Sequence, residues 1–271
     1  MDFETIIYEK SEGIATIILN RPERMNALNN EMIREWAQVL EEARLDPEVR
    51  AVILTGAGRG FCAGADLRGG GLGLSEAAQR ETPPTPAERR NWLRDSVHYV
   101  PRAVALLDKP YIAAVNGAAV GAGMDMASMC DIRFAAETAR FSMGYVRMGL
   151  IPGDGGCYFL PRIVGVAKAL ELIWTGDFMD GQEAQRVGYV SKVVSLDDLL
   201  PTTREFARRL AEGPAVAIQL AKRLVYRGLD ASVYEALEQA SQAMAMVQST
   251  EDAREGPRAF IEKRPPRFQG R

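Results

Sequence analysis

Two stretches of this chain carry an apolar strand straight into glycines and other small residues. In the first, residues 52–55 lead through Gly56-Ala57-Gly58-Arg59-Gly60 into Phe61-Cys62-Ala63-Gly64-Ala65-Asp66-Leu67. In the second, residues 112–115 lead into Asn116-Gly117-Ala118-Ala119-Val120-Gly121-Ala122-Gly123-Met124-Asp125. Small side chains leave backbone N–H groups uncovered, and a helix N-terminus aims such donors at an approaching negative oxygen. Two such turns meeting at one point would form an oxyanion hole, with donors placed where charge develops. Either turn alone is explained by tight turning and close packing of helix on strand. Their joint occurrence after matched strands points to function.

Two aspartates supply candidate proton chemistry. Asp125 lies among Val120, Ala122, Met124, Met126, Ala127 and Met129, so its helical neighbours are apolar. Burial there would raise its pKa and suit it to proton transfer near neutral pH, although a capping aspartate would look the same. Asp154 sits in Ile151-Pro152-Gly153-Asp154-Gly155-Gly156. An aspartate between glycines is commonly a turn former, yet this run also bares the backbone around a carboxylate. The single histidine, His98, reads first as a surface or packing residue.

Other chemistries are excluded by what the sequence lacks. There is no phosphate-binding G-x-x-x-x-G-K-[ST] loop and no G-x-S-x-G nucleophile elbow. Cys62, Cys130, Cys157 and His98 cannot make a zinc site of familiar spacing. A net charge of -3 and a pI near 5.5 offer no basic surface for nucleic acid or anionic lipid. The longest apolar stretch, residues 111–124, is interrupted by Asn116 and falls short of the ~18 residues of a membrane span. The N-terminus lacks the pattern of a signal peptide, and three cysteines without a close pair suit a reducing compartment, so a cytoplasmic location is expected.

The elements that would position these residues follow from periodicity. Residues 5–9 and 14–19 read as a hairpin closed by Ser11-Glu12-Gly13. A helix is predicted from an Asn29 or Asn30 cap to Leu45, with Met32, Trp36, Val39, Leu40 and Ala43 on one stripe. Residues 51–55, 111–115 and 132–135 read as buried strands, and 121–129 as a helix. Residues 68–87, rich in glycine, proline and polar side chains, are expected to form a mobile surface loop, followed by one helix over 87–107. From Ser195 onward the pattern is helical, over 196–211, 214–227, 231–248 and 251–263. The texture is α/β, with a core over residues 1–194 and a C-terminal helical region over 195–271.

These motifs together resemble the crotonase superfamily, the enoyl-CoA hydratase/isomerase family. Asn20-Arg21-Pro22, Asn26-Ala27-Leu28, residues 61–67, Lys109-Pro110, residues 116–123, Met129-Cys130-Asp131-Ile132, Gly149-Leu150-Ile151-Pro152-Gly153 and Ala259-Phe260-Ile261-Glu262-Lys263 follow the family's order along almost the whole chain. The resemblance implies a crotonase-like spiral of ββα units whose C-terminal helices serve trimerisation, in a homotrimer or homohexamer. It implies acyl-CoA thioester substrates and no cofactor beyond the coenzyme A moiety of the substrate, with no metal. Oxyanion-hole amides then fall on Ala65 and Ala122. Coenzyme A contacts fall on Arg24, Ala63, Asp66, Leu67 and Arg68, with Phe260 and Lys263 reaching a neighbouring subunit.

The two glutamates of family hydratases are replaced here by Asp125 and Tyr145. Tyrosine, whose hydroxyl ordinarily titrates near pH ~10, is a poor carboxylate substitute. Asp154 resembles the proton-shuttling aspartate of dienoyl-CoA isomerases, which works there with an aspartate matching Asp125. The leading expectation is therefore an enoyl-CoA hydratase or double-bond isomerase using Asp125, Asp154 and Tyr145. A second reading makes Asp154 the nucleophile of an acyl-CoA dehalogenase or hydrolase, with His98 near that branch's histidine base. A third, a non-catalytic binding protein of this fold, is opposed by the acidic balance where RNA is concerned.

Overall fold

The computed structural model of the chain describes residues 3–67 and 85–271. The hairpin expected at the N-terminus is there, as β1 (Ile6–Ser11) antiparallel to β2 (Ile14–Leu19). Helix α1 (Asn30–Leu45) follows, capped by the Asn29 side chain, which accepts from the Met32 amide at 2.9 Å. Its far end is closed by Lys109, whose buried Nζ donates to the Ala43 and Asp46 carbonyls at 2.6 Å each. Strand β3 (Ala51–Gly56) is buried along its whole length.

A single helix over 87–107 is not what forms. Helix α2 (Pro86–Arg94) stops, and α3 (Tyr99–Leu106) starts after a break. Pro101 gives the reason: its ring would collide with the carbonyl of Val97 if the helix ran through, whereas the first turn of a new helix tolerates it. The Ser96 hydroxyl closes α2 by donating to the Trp92 carbonyl at 2.6 Å. The expected loop over 68–87 lies outside the described residues except for its last three, of which Pro86 and Ala87 open α2 behind the Thr85 cap.

From here the chain winds as a spiral. Each turn gives one strand to a six-stranded sheet and one to a three-stranded sheet. Strands β4 (Tyr111–Val115), β6 (Ile132–Ala136) and β9 (Lys192–Val194) extend the first, in the order β1-β2-β3-β4-β6-β9. Strands β5 (Ala118–Val120), β7 (Arg140–Ser142) and β8 (Met179–Asp180) make the second, in that order. These three short strands carry too little periodicity to stand out in the sequence. Between them lie α4 (Ala122–Ser128), a 3-10 turn over Gly144–Met148, α5 (Gly156–Val164), α6 (Val166–Thr175) and α7 (Gly181–Arg186).

Both faces of the large sheet are covered, which is why its strands read as unbroken apolar runs. Val52, Leu54, Tyr111, Ala113 and Val115 face a core shared with α1, while Ala51, Ile53, Ile112 and Ala114 face the other way. That second face is sealed by α8 (Leu196–Ala211) through Leu199, Ala207 and Ala211. Three further helices, α9 (Ala215–Gly228), α10 (Val233–Gln248) and α11 (Asp252–Ile261), complete the helical C-terminal region. Asp131 ties α9 to the strands, accepting from the Tyr111 amide, the Tyr226 hydroxyl and Lys222 at 2.7–2.8 Å. Among the described residues, no helix is long and apolar enough to cross a membrane.

Two buried asparagines hold the loop after β3. Asn116 Nδ2 donates to the carbonyls of Gly56 and Gly58 at 2.9 Å, and its Oδ1 accepts from the Gly56 amide. Asn26 Nδ2 donates to the carbonyls of Ala57 and Gly60, and its Oδ1 accepts from the Arg21 amide. Asn116→Ala strips the buried Gly56 amide and carbonyl of their Asn116 partner and is expected to cost about 2–4 kcal/mol. Urea unfolding checks it; a loss indistinguishable from zero would show that the loop holds itself.

Candidate active site

The two glycine-rich turns meet. The Phe61 and Cys62 amides both donate to the Ala118 carbonyl, and the Val120 amide donates to the Cys62 carbonyl at 3.0 Å. Gly64, at φ +94°, lies so close to the second turn that an added Cβ would sit 2.7 Å from the Val120 carbonyl oxygen. The same Cβ would be 3.7 Å from the Ala122 amide nitrogen. Only glycine allows that approach at that φ. On the other side, Leu28 brackets the first turn, its amide donating to Gly64 and its carbonyl accepting from Asp66. Neither the Ala65 nor the Ala122 amide donates to another described residue. Ala122 opens α4, where the first amides have no partner inside the helix.

Ala65 and Ala122 line a cavity of about 540 Å³. Its walls are mostly apolar, from Trp92, Leu93 and Val97 on one side to Leu150, Ile151 and Phe178 on the other. Of the sequence-derived candidates, Ala63, Leu67, Tyr145 and Asp154 also line it. Asp125 does not.

Asp125, Tyr145 and Asp154 are nevertheless in contact. The Tyr145 hydroxyl lies 2.8 Å from Asp125 Oδ2 and 2.8 Å from Asp154 Oδ2. Asp125 is fully buried; Asp154 lies in the turn its glycine neighbours imply, and is itself nearly buried at 4% exposure. Those glycines also serve packing. At Gly156 a Cβ would collide with Asp125 Oδ1, so the start of α5 can press onto that carboxyl only with glycine there. Burial, then the charge of Asp154, pushes the Asp125 carboxyl well above the usual range. The Tyr145 hydroxyl and the Gly156 and Asp154 amides oppose this. Asp154 is raised too, by burial, with the Tyr145 hydrogen bond and the nearby His98 pulling down. Tyr145 itself is pushed well above its ordinary value, by burial and by both acids. His98 joins the site from the break between α2 and α3, its Nε2 donating to the Gly153 carbonyl at 2.9 Å.

The remaining candidates fall elsewhere. The Asp66 side chain is buried and paired with Arg21 at 2.8 Å, so it is turned into the fold. Arg24 is exposed on the 3-10 turn over Pro22–Arg24, and Arg68 lies outside the described residues. Phe260, 85% exposed, and Lys263 belong to the α11 end of the chain and line no part of this cavity. Among the described residues no cluster of histidine, cysteine, aspartate or glutamate could hold a metal. Arg21, Asn26 and Asn116 are contributors whose roles the residue pattern did not disclose. Their partners lie about 30 to 60 positions away, at Ala57, Gly58, Gly60 and Asp66.

The raised acids have a thermodynamic consequence. Between the ordinary carboxyl range and their native pKa values, the folded chain holds more protons than the unfolded one. This contribution to stability is therefore full at low pH and is lost as pH rises through that window. Asp125→Asn is expected to raise Tm at neutral pH more than at about pH 4. Thermal melts across pH check this, and an equal shift at both ends would show that Asp125 is ionised without penalty.

Comparison with known proteins agrees with the geometry. The sequence profile described as enoyl-CoA hydratase/isomerase matches residues 9–271. The short-chain-enoyl-CoA hydratase of Clostridium acetobutylicum is 40% identical, with 97% of each chain covered. The 1,2-epoxyphenylacetyl-CoA isomerase of Escherichia coli is 36% identical, with 99% of each covered. Among solved structures, the enoyl-CoA hydratase of Bacillus anthracis superposes with a TM-score of 0.89 at 34% identity, over 99% of this chain and 100% of that one. The chain belongs to the enoyl-CoA hydratase/isomerase family, within the crotonase superfamily.

Proposed function

We propose that this protein shifts a carbon–carbon double bond in an acyl-CoA thioester through an enolate held by the Ala65 and Ala122 amides. One observation carries the choice of reaction: Asp154 lines the cavity, whereas Asp125 does not and stands behind Tyr145. A single carboxylate suffices for isomerisation. Asp154 takes a proton from one carbon, the electron pair of that C–H bond flows to the thioester oxygen, and the two amides stabilise the charge. Return of the electrons and of the same proton to another carbon completes the shift. Asp154, raised by burial and bonded to Tyr145, is suited to a reversible proton transfer at moderate pH.

Hydration is the second reading, and the names of relatives such as the Clostridium hydratase favour it. It needs a water molecule held and activated as well as a proton donor, and both tasks would fall on Asp154 and Tyr145. A nucleophilic Asp154 is less well supported, because the hydrogen bond from Tyr145 occupies its Oδ2 and blunts attack on carbon.

The coenzyme A moiety, the only cofactor-like group in this reading, would lie along Arg24, Ala63, Asp66, Leu67 and Arg68, with Asp66 contributing through its backbone. Phe260 and Lys263 would act on a neighbouring copy in a homotrimer or homohexamer built on residues 195–271. The exposure of Val233, Tyr234, Leu237, Phe260 and Ile261 on the C-terminal helices supports that assembly. The protein would work in the cytoplasm.

A panel of linear enoyl, dienoyl, aromatic and alicyclic CoA esters, followed by absorbance of the conjugated thioester, tests the reading. A 3-enoyl ester should gain absorbance; water addition to 2-enoyl esters alone would sink isomerisation in favour of hydration. Asp154→Asn should lower kcat by about 10²–10⁴ with little change in KM. Ala122→Pro deletes one oxyanion donor at a helical position that admits proline, and should cost about 10²–10³ in kcat, whereas Ala122→Gly keeps the donor. Equal rates for the proline and glycine variants would remove Ala122 from the oxyanion hole.

A further inference from the structure

The hydrogens in the Asp125–Tyr145–Asp154 cluster can be counted. A phenol carries one hydrogen and can donate it to one acceptor. The Tyr145 hydroxyl lies 2.8 Å from a carboxyl oxygen on each side. Two ionised aspartates would leave one of these contacts as oxygen facing oxygen with no proton between, inside a buried site. One carboxyl must therefore carry a hydrogen and donate it to the phenol oxygen.

We infer that Asp125 is that neutral acid: it donates to Tyr145, directs the single Tyr145 hydrogen onto Asp154, and thereby keeps Asp154 as the ionised base at the cavity. Asp125 is then a positioning residue that acts through Tyr145.

The two aspartates differ in surroundings. Asp125 is fully buried, and among the described residues its Oδ1 has no well-formed hydrogen bond, although the Gly156 and Asp154 amides act on the carboxyl; a charged carboxylate tolerates this badly. Among the described residues, the titratable groups acting on it are Tyr145, Asp154, Cys157 and Tyr189, none of them cationic. Burial and the Asp154 charge together favour its neutral form, outweighing the amides at the start of α5. Asp154 opens onto the cavity and has His98 beside it, which favours its charged form. The order of donation, Asp125 to Tyr145 to Asp154, places one proton in each of the two 2.8 Å contacts. Reversing it would put the charge on the acid that has no access to the cavity.

The proposal rests on the reading of Asp154 as the base, but its test is independent of turnover. Infrared spectra of the full chain at neutral pH should show the carbonyl band of a protonated carboxyl. Asp125→Asn should remove that band and Asp154→Asn should leave it. Loss of the band in Asp154→Asn with survival in Asp125→Asn would overturn the assignment, as would its absence from the unaltered protein. A chain inert toward all acyl-CoA esters would refute the proposed function and leave the spectra unaffected. In turnover, Asp125→Asn keeps an amide donor for Tyr145, so it should outperform Asp125→Leu by about tenfold, the worth of one hydrogen bond. Equal losses in the two variants would show that donation from position 125 has no part in the reaction.

Discussion

The site depends on one close approach, that of Gly64 to the Val120 carbonyl and the Ala122 amide. If the two turns stood a few ångströms apart, their free amides would be ordinary solvated donors. Brought together, the two turns border one mostly apolar cavity, in surroundings where their dipoles are poorly screened. Much of the surrounding architecture serves this approach. Asn26 and Asn116 fix the loop that precedes the first turn, and Leu28 brackets it. The spiral stacks β4 on β3, so that the turn after each strand arrives at the same edge.

Burial does two things at the acid cluster. It raises both aspartates and Tyr145, and it makes an unpaired oxygen costly, so the protons must be ordered along the chain of contacts. Gly156 is part of this arrangement, since α5 can close over Asp125 only without a side chain there. The replacement of a carboxylate by Tyr145 is then less a loss of chemistry than a change of its layout. The tyrosine screens one acid from the cavity and hands the other its hydrogen bond.

The C-terminal region divides in its physical role. Helix α8 is part of the core, since without it the second face of the large sheet would be open to water. The later helices are tied to the core by polar contacts such as Asp131 with Lys222 and Tyr226, and they carry exposed Val233, Tyr234 and Phe260.

The sequence by itself determined the long buried strands, α1 with its Asn29 cap, the helical C-terminus and the two small-residue turns. In each case the signal is local: a continuous apolar run, a stripe of period 3.6, or glycines in series. The short strands β5, β7, β8 and β9 and the break at Pro101 escaped, the strands for want of length and the break because a proline in the first turn of a helix looks the same in sequence as one inside it. The pairing of chemical groups was decided only in three dimensions. Asp125 and Asp154 are both visible as candidate acids in the chain, but that Asp154 lines the cavity while Asp125 lies beyond Tyr145, 20 residues from one and 9 from the other, is decided by the fold. Protonation is set by distance and solvent exposure, and neither is a property of neighbours along the chain.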